Sequence, residues 1–140
     1  MKVLVLEDDP SIATLLRYQL EARGHEVFVC IGILEGQSCC GKMLTFWDEN
    51  GRAVEVDLCQ FDLAFVDGNL QGSVLGTELV DPLKQVGVVS IANTNNDSLV
   101  REFARRGADF VCEKTKIVGW VKEYLQDAIA LRVTRFAQAS

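Results

Sequence analysis

The sequence predicts an α/β fold in which a five-stranded parallel sheet carries helices on both faces. Two features lead to this prediction. Short apolar segments alternate with segments in which apolar residues recur at helical spacing, which is the βα rhythm of a parallel sheet. The chain has 140 residues, of which 49% are hydrophobic, and this suits one domain with a single buried core. We therefore expect residues 1–140 to form one domain.

The chain begins with a predicted strand and helix. The apolar segment Val3–Leu6 is the first strand. Asp9 stands before a proline, which is typical of a helix N-cap and first helical position, and Gly24 ends the helix. The apolar residues at helical spacing are Ile12, Leu15, Leu16 and Leu20. A second strand follows at Glu26–Cys30.

The thirty residues 31–60 are more than a single crossover helix of ~10–14 residues requires. We therefore expect an insert at about 36–60. Lys42–Trp47 and Arg52–Val56 flank a turn that contains Asn-Gly, a strong signal for a β-hairpin. The sequence thus predicts a hairpin that replaces or extends the second crossover helix.

Two pairs of residues in the insert have alternative interpretations. Phe46 and Trp47 either form an exposed docking surface or pack onto the domain. Cys39 and Cys40 lie either in a plain loop or in a redox or metal site. The plain loop is favoured, because five cysteines without CxxC spacing indicate reduced thiols.

The second half of the chain continues the alternation of strands and helices. Further strands are predicted at Leu63–Val66, Val88–Ala92 and Asp109–Cys112. Helices are predicted from about Leu75, over Asp97–Arg106, and from about Ile117 into the 130s. Pro82 removes a backbone donor, so the helix that contains it should be short or kinked.

The last helix has an unusually wide apolar surface. One face carries Ile117, Val118, Val121, Leu125, Ala128 and Ile129. The surface is widened by Trp120, Tyr124 and Leu131. This excess indicates either a deep core, which is the simpler explanation, or a homodimer through the faces of the last two helices.

Charged residues directly follow three of the predicted strands. Glu7 and Asp8 follow the first strand, Asp67 follows the third, and Lys114 comes shortly after the fifth. Because functional groups gather outside the carboxyl ends of parallel strands, we expect these side chains to converge on one pocket. Carboxylates forced together repel each other, and Mg²⁺, which prefers oxygen ligands, relieves that repulsion. Asp9 is assigned to the helix cap instead.

Three segments resemble the receiver domain of bacterial two-component response regulators, in the order that the family has them. They are Val3–Ser11, Phe61–Gly72 and Arg106–Lys114. The resemblance covers nearly the whole chain and implies a flavodoxin-like fold similar to that of chemotaxis regulators. Our fold prediction is therefore a doubly wound parallel sheet with strand order 2-1-3-4-5 and a hairpin insertion in the second crossover.

The resemblance also implies a role for each charged residue. Asp67 would accept a phosphoryl group. Asp8 would bind Mg²⁺ directly, and Glu7 would assist, partly through water. The backbone carbonyl of Asn69 would be a further metal ligand, and Lys114 would pair with the phosphoryl oxygens.

The chain departs from the family pattern at the positions that transmit the signal. The Ser or Thr at the end of the fourth strand falls on Ala92, with Thr94 as the alternative if the loop has shifted by two residues. The aromatic switch position falls on Val111, and the proline after the lysine is Thr115. A non-proline cis bond costs ~2.5–4 kcal/mol, so we predict a trans Lys114–Thr115 bond and a different loop path.

We therefore predict an atypical, stand-alone receiver, because only a helix and a short tail follow Lys114. It would not be an enzyme with turnover, since it catalyses only its own modification. The expected partners are a histidine kinase or phosphotransfer protein and a downstream protein target. The alternative is a pseudo-receiver, a protein-binding module that keeps the pocket and does not switch by phosphorylation.

Composition, charge and the acidic first loop argue against several other classes of protein. A net charge of −6 argues against nucleic-acid binding, because phosphate contacts dominate that affinity. No signal peptide and no apolar run near ~20 residues is found, so we expect a cytoplasmic protein without a membrane span. A nucleotide- or flavin-binding domain is disfavoured, because three carboxylates in the first βα loop would repel a phosphate.

Overall fold

Seven strands form one sheet in the computed structural model, which describes residues 1–37, 41–70 and 75–139. In chain order the strands are β1 (Lys2–Leu6), β2 (Glu26–Ile33), β3 (Met43–Asp48), β4 (Ala53–Asp57), β5 (Leu63–Val66), β6 (Val89–Asn93) and β7 (Phe110–Cys112). The α-helices of the described residues are α1 (Pro10–Glu21), α2 (Val80–Gln85), α3 (Asp97–Arg106) and α4 (Ile117–Ala139). Short 3₁₀-helices lie at Leu58–Gln60, Gly76–Leu79 and Lys114–Lys116.

The strands lie in the order β4-β3-β2-β1-β5-β6-β7. The five parallel strands β2, β1, β5, β6 and β7 reproduce the predicted order 2-1-3-4-5, so the fold prediction is confirmed. Two antiparallel strands extend the sheet from five to seven at the edge of β2. Leu6 of β1 pairs with Val66 of β5, which pairs with Ala92 of β6. The carboxyl ends of these three strands therefore lie side by side.

The insert forms the predicted hairpin from β3 and β4. Gly51 in its turn has φ +76°, a conformation that favours glycine. Phe46 is completely buried and Trp47 is half-buried, so the docking alternative is wrong for Phe46. Between β2 and β5, the described residues form the hairpin and one 3₁₀ turn where a crossover helix was expected. Phe46 packs inward because the hairpin supplies the core side chains on this face of the sheet. Cys39 and Cys40 lie outside the described residues.

The sheet separates two hydrophobic layers. On one face, α1 and α4 contribute Leu16, Leu20, Val121 and Leu125. On the other face, the hairpin, α2 and α3 contribute Leu44, Phe46, Leu83 and Phe103. The hairpin thus covers part of a core that a crossover helix was expected to cover. Both faces of the parallel strands are buried, as their apolar sequences predict.

The two middle helices begin and end near the predicted positions. A 3₁₀ turn continues into α2, which has only six residues and carries Pro82 in its first turn, so the expected short helix is confirmed. Asn96 caps α3, and Gly107 ends it with φ +90°. No helix within the described ranges has the length and apolar composition needed to span a membrane.

Helix α4 buries a narrower stripe than its sequence predicted. Val118 is 48% exposed, so its assignment to the core face is wrong. The reason is geometric, because position 118 lies about 100° around the helix from the buried Ile117. Trp120 packs edge-to-face on Phe65, with ring centroids 5.5 Å apart, and Tyr124 is 45% exposed.

Two arginines fix the end of α4 to the amino ends of the strands. Arg132 donates hydrogen bonds to Asp62 Oδ1 at 3.2 Å and to the Gly87 carbonyl oxygen at 2.8 Å. Arg135 forms an ion pair with Asp109. These contacts hold the helix across the face of the sheet, and they lie at the end opposite to the acidic residues.

Candidate functional site

The acidic residues are held by the sheet itself. The Glu7 backbone N–H donates to the Cys30 carbonyl oxygen at 3.0 Å, and the Asp67 N–H donates to the Leu6 carbonyl oxygen at 2.9 Å. The strand hydrogen bonding therefore continues one step beyond β1 and β5. The side chains of Glu7 and Asp67 are 0% and 1% exposed. Together with Asp8, they offer carboxylate oxygens within 4.8 Å of one another.

Lys114 reaches into this acidic group. Its Nζ donates to Asp67 Oδ2 at 2.9 Å and to Glu7 Oε1 at 3.1 Å. One ammonium thus bridges two buried carboxylates, while Asp8 stands beside them without a share in this bridge. Buried charges are tolerated only when they are paired, so Lys114 is what permits Glu7 and Asp67 to lie together.

The crowding of charges changes the proton affinities of the site. Burial, followed by the repulsion from Asp67, raises the pKa of Glu7 to about 7. Burial and the same repulsion raise the pKa of Asp8. Burial alone would lower the pKa of Lys114, but the hydrogen bond to Asp67 and the attraction of both carboxylates outweigh it and raise that pKa. Lys114 is therefore a fixed positive charge near neutral pH.

Two residues that follow Asp67 in the chain, Asn69 and Gly76, contact Asp67 closely. The Asn69 N–H donates to Asp67 Oδ1 at 3.1 Å, which orients the carboxylate. Asn69 also lines the cavity at Asp67, although the role of its carbonyl oxygen stays a prediction. A Cβ on Gly76 would stand 1.8 Å from the Asp67 carbonyl oxygen, so only glycine fits there. Gln71 and Gly72 lie outside the described residues.

The cavity beside Asp67 measures about 330 Å³ and is lined by Asp67, Asn69, Thr94, Asn95, Asn96 and Lys114. Of the two candidate switch positions, Thr94 lies in this lining, whereas Ala92 is buried within β6 opposite Val66. The Thr94 hydroxyl accepts a hydrogen bond from the Asn96 N–H at 3.1 Å. A role for this hydroxyl in signalling stays a prediction.

The loop that carries Lys114 is held by a side chain instead of a proline. The peptide bond between Lys114 and Thr115 is trans, as predicted. The Lys114 backbone N–H donates to Asn95 Oδ1 at 2.8 Å. The family pattern offered no signal for Asn95, because the contact joins two loops that lie 19 residues apart.

Sequence reasoning also missed Asn93. This residue is 0% exposed, and its Nδ2 donates to Glu7 Oε2 at 3.3 Å. Its Oδ1 is buried and has no hydrogen-bond partner. The available signal was the one that identified Asp67, a polar residue at the end of an apolar strand.

The donor set fits a hard divalent cation. Glu7, Asp8 and Asp67 supply carboxylate oxygens, and Asn93, whose amide nitrogen contacts Glu7, carries an unpartnered amide oxygen. When all three carboxylates are ionised, Lys114 balances only one of their charges, so the group keeps an excess of negative charge. Oxygen ligands with excess negative charge are what Mg²⁺ and similar ions bind.

The fold is found in several solved structures. NtrX from Brucella abortus superposes with a TM-score of 0.70 at 22% identity, covering 99% of this chain and 29% of NtrX. The signal receiver domain of a modulated diguanylate cyclase from Desulfovibrio desulfuricans G20 gives a TM-score of 0.67 at 23% identity, covering 95% of this chain and 96% of that one. A CheY-like response regulator receiver domain protein from Methanospirillum hungatei JF-1 gives 0.60 at 23% identity, covering 91% and 94%.

These similarities define the class of fold. The chain has the fold of response regulator receiver domains, as the resemblance in its sequence predicted. It spans about 29% of the length of NtrX. No protein family and no curated protein matches it by sequence.

Proposed function

We propose that the protein is a signalling receiver that accepts a phosphoryl group on Asp67. The observation that carries this proposal is the bridge of Lys114 between Glu7 and Asp67, with Asp8 alongside. A structural ion pair needs one carboxylate, whereas this site places two carboxylates on one ammonium and a third beside them, at a cost in burial. Three acids and a lysine at adjoining strand ends suit the transfer of a highly charged group.

The chemistry would use Asp67 as the nucleophile. One of its oxygens attacks the phosphorus of a phosphohistidine, the P–N bond breaks, and its electron pair leaves with the imidazole nitrogen. The hydrogen bonds from Asn69 and Lys114 fix the direction of the carboxylate before the attack. The Lys114 ammonium then stabilises negative charge on the transferred oxygens, because it already lies at hydrogen-bond distance from Asp67.

Glu7, Asp8, Asp67 and the backbone carbonyl of Asn69 would hold Mg²⁺. When bound, the ion neutralises charge on the phosphoryl oxygens. In its absence Lys114 alone opposes the three carboxylates. This is consistent with the raised pKa of Glu7, which burial and Asp67 cause.

The proposed partners are a cytoplasmic histidine kinase or phosphotransfer protein and a downstream protein. The net charge of −6 disfavours nucleic acid. Self-association through α3, β7 and α4 is a further proposal, because Val111, Val118 and Tyr124 are 37%, 48% and 45% exposed there. Light scattering before and after phosphorylation tests it.

The second candidate is a pseudo-receiver that binds a protein partner without phosphorylation. It is favoured by the two signalling positions that have lost their usual side chains, Ala92 and Val111. It is opposed by Thr94, which supplies a hydroxyl in the cavity wall. The two candidates differ in whether Asp67 reacts.

Intact-mass spectrometry after incubation with acetyl phosphate and Mg²⁺ distinguishes them. We expect one added phosphoryl group in the wild type and none in Asp67→Asn, because the amide is a poor nucleophile. Asp62→Asn is the matched control, since Asp62 precedes the opposite end of the same strand and pairs with Arg132. A wild type that binds Mg²⁺ and never labels would establish the pseudo-receiver. Labelling that survives Asp67→Asn would reject Asp67 as the acceptor.

The cation site has its own test. Calorimetry with Mg²⁺ should give weaker binding for Asp8→Ala than for the wild type, because one of three carboxylates is lost. Equal binding by the two proteins would contradict the assignment of Asp8.

A further inference from the structure

We propose that Asn93 is a positioning residue of the cation site, which orients Glu7 through its amide nitrogen and offers its amide oxygen to the cation. This inference rests on the proposed function, because it requires a cation to bind among the carboxylates. It assigns a task to a residue outside the set of acids and lysine that the sequence indicated.

The amide of Asn93 and the ammonium of Lys114 hold opposite oxygens of the same carboxylate. Asn93 Nδ2 donates to Glu7 Oε2 at 3.3 Å, and Lys114 Nζ donates to Glu7 Oε1 at 3.1 Å. The backbone N–H of Asp9 also donates to Oε1, at 3.2 Å. Glu7 is therefore held at both oxygens within the buried interior, and Asn93 holds the oxygen to which Lys114 and Asp9 do not bond.

The amide oxygen of Asn93 is the second observation. It is the one buried side-chain nitrogen or oxygen in the described ranges that lacks a hydrogen-bond partner. An unsatisfied buried acceptor costs ~1–3 kcal/mol, so its presence calls for an explanation. Oδ1 is bonded to the same carbon as Nδ2, which contacts Glu7, so the unpartnered oxygen lies near the acidic group. A cation, or a water molecule bound to one, would supply the missing partner.

The position of Asn93 in the sheet supports this assignment. Val66 pairs with Ala92, so the next residues along the two parallel strands, Asp67 and Asn93, are neighbours at the strand ends. An amide oxygen is a hard ligand without charge. It adds coordination for a divalent ion without adding a fourth negative charge to a site that already carries three carboxylates.

Mn²⁺ is the probe for the test, and the free ion is counted by electron paramagnetic resonance at room temperature without any phosphodonor. Asn93→Leu has a similar volume and removes both polar atoms, and Asn93→Asp keeps an oxygen at the Oδ1 position. We expect Asn93→Leu to weaken Mn²⁺ binding on the order of tenfold, the lower end of what loss of a supporting partner costs a metal site. Asn93→Asp should bind more tightly than Asn93→Leu, because it keeps an oxygen at the Oδ1 position, although it loses the hydrogen bond to Glu7.

Ser90→Ala is the control for a general loosening of β6. Ser90 lies on the same strand, is 4% exposed and bonds to Asp109 instead of the acidic group, so its loss should leave Mn²⁺ affinity unchanged. Folding of each variant is checked by circular dichroism. If Asn93→Leu does not fold, the smaller Asn93→Ala carries the same expectation.

Each outcome decides between the inference and the function on which it rests. Wild-type affinity in Asn93→Leu would overturn the inference. Equal weakening in Asn93→Leu and Asn93→Asp would also overturn it, because an oxygen at that place would then contribute nothing. A wild type that binds no Mn²⁺ would instead reject the proposed cation site itself.

Discussion

The backbone N–H of Lys114 donates a hydrogen bond to Asn95 Oδ1 at 2.8 Å, and this contact joins the loop after β7 to the loop after β6. The lysine is therefore held at its main chain by one loop while its side chain reaches Asp67 and Glu7. Asn95, which is exposed, therefore supports this loop where the family places a proline after the lysine and this chain has Thr115.

The first prediction concerns this contact. Asn95→Ala should slow the labelling of Asp67 by acetyl phosphate by about tenfold, because small displacements of a charge-stabilising group are costly. Asn95→Asp keeps an acceptor for the Lys114 N–H and should retain most of the wild-type rate. The initial rate is measured by intact-mass spectrometry. Identical rates in Asn95→Ala and the wild type would mean that Lys114 does not need this support.

The second prediction separates the two tasks of Lys114. Lys114→Met should tighten Mn²⁺ binding by about tenfold or more, because a positive charge next to the ion site is removed. The same variant should label more slowly. Binding is measured at about pH 8.5, above the pKa of about 7 to which burial raises Glu7 in the wild type. Lys116→Met is the control, since Lys116 is exposed and pairs with Glu113. Weaker Mn²⁺ binding in Lys114→Met would contradict the prediction.

The third prediction is a pH dependence of stability in the absence of divalent ions. The pKa of Glu7 rises from 4.5 to about 7, chiefly through burial. Between these values the folded protein keeps a proton that the unfolded chain has released. The free energy of unfolding therefore falls as pH rises through this window, by up to about 3 kcal/mol, and then levels off.

Urea denaturation in EDTA from pH 5 to pH 8 measures this effect. Glu7→Gln should flatten the decline, because it cannot ionise, and its amide nitrogen can donate to Asn93 Oδ1 once the Asn93 amide turns over. Glu123→Gln, an exposed change on α4, should leave the decline unchanged. Added Mg²⁺ should restore stability in the wild type at pH 8. A decline of the same size in Glu7→Gln would assign the pH dependence to another group.

The fourth prediction tests the hairpin as part of the core. Phe46→Ala should lower the free energy of unfolding by about 3–5 kcal/mol, because a completely buried ring is lost. Met43→Ala, on the same strand at 45% exposure, should change it by about 0.5 kcal/mol or less. Similar effects from the two substitutions would show that the hairpin does not close the core.

The fifth prediction compares two glycines. A Cβ on Gly76 would overlap the Asp67 carbonyl oxygen, so Gly76→Ala should cost about 1–3 kcal/mol or more and should slow the labelling of Asp67. Gly119 lies in α4 with open space around it, and Gly119→Ala should add about 0.5–1 kcal/mol of stability. Thermal unfolding of both variants measures the contrast. Wild-type stability and labelling rate in Gly76→Ala would mean that the backbone at Gly76 shifts without cost to accept the Cβ.

The sequence predicted those parts of the site that follow directly from strand ends. Glu7, Asp8 and Asp67 each come just after an apolar run, and parallel pairing brings such residues together. It did not predict Asn93 or Asn95. Asn93 stands at the end of an apolar strand, as Asp67 does, and that local signal was available. Its contact with Glu7, 86 residues away, and the contact of Asn95 with Lys114, 19 residues away, depend on side-chain directions and strand register, which no local pattern encodes.

The same distinction holds for the fold. The hairpin was predictable because its turn residues are local, whereas the inward direction of Phe46 depends on the register in which β3 pairs with β2. The anchoring of α4 by Arg132 and Arg135 was not predictable, since their acidic partners lie 70 and 26 residues away. Val118 was misassigned because the wide apolar surface of α4 obscured which stripe is buried.

The hairpin also changes what other molecules meet on that side of the protein. Beyond β2, the described residues present the edge of β4 and the outer face of β3 and β4, where a crossover helix was expected. A protein that docks on this side of the molecule therefore meets a strand edge instead of a helix. The backbone N–H and C=O groups along the open side of β4 are the groups with which an added strand would pair.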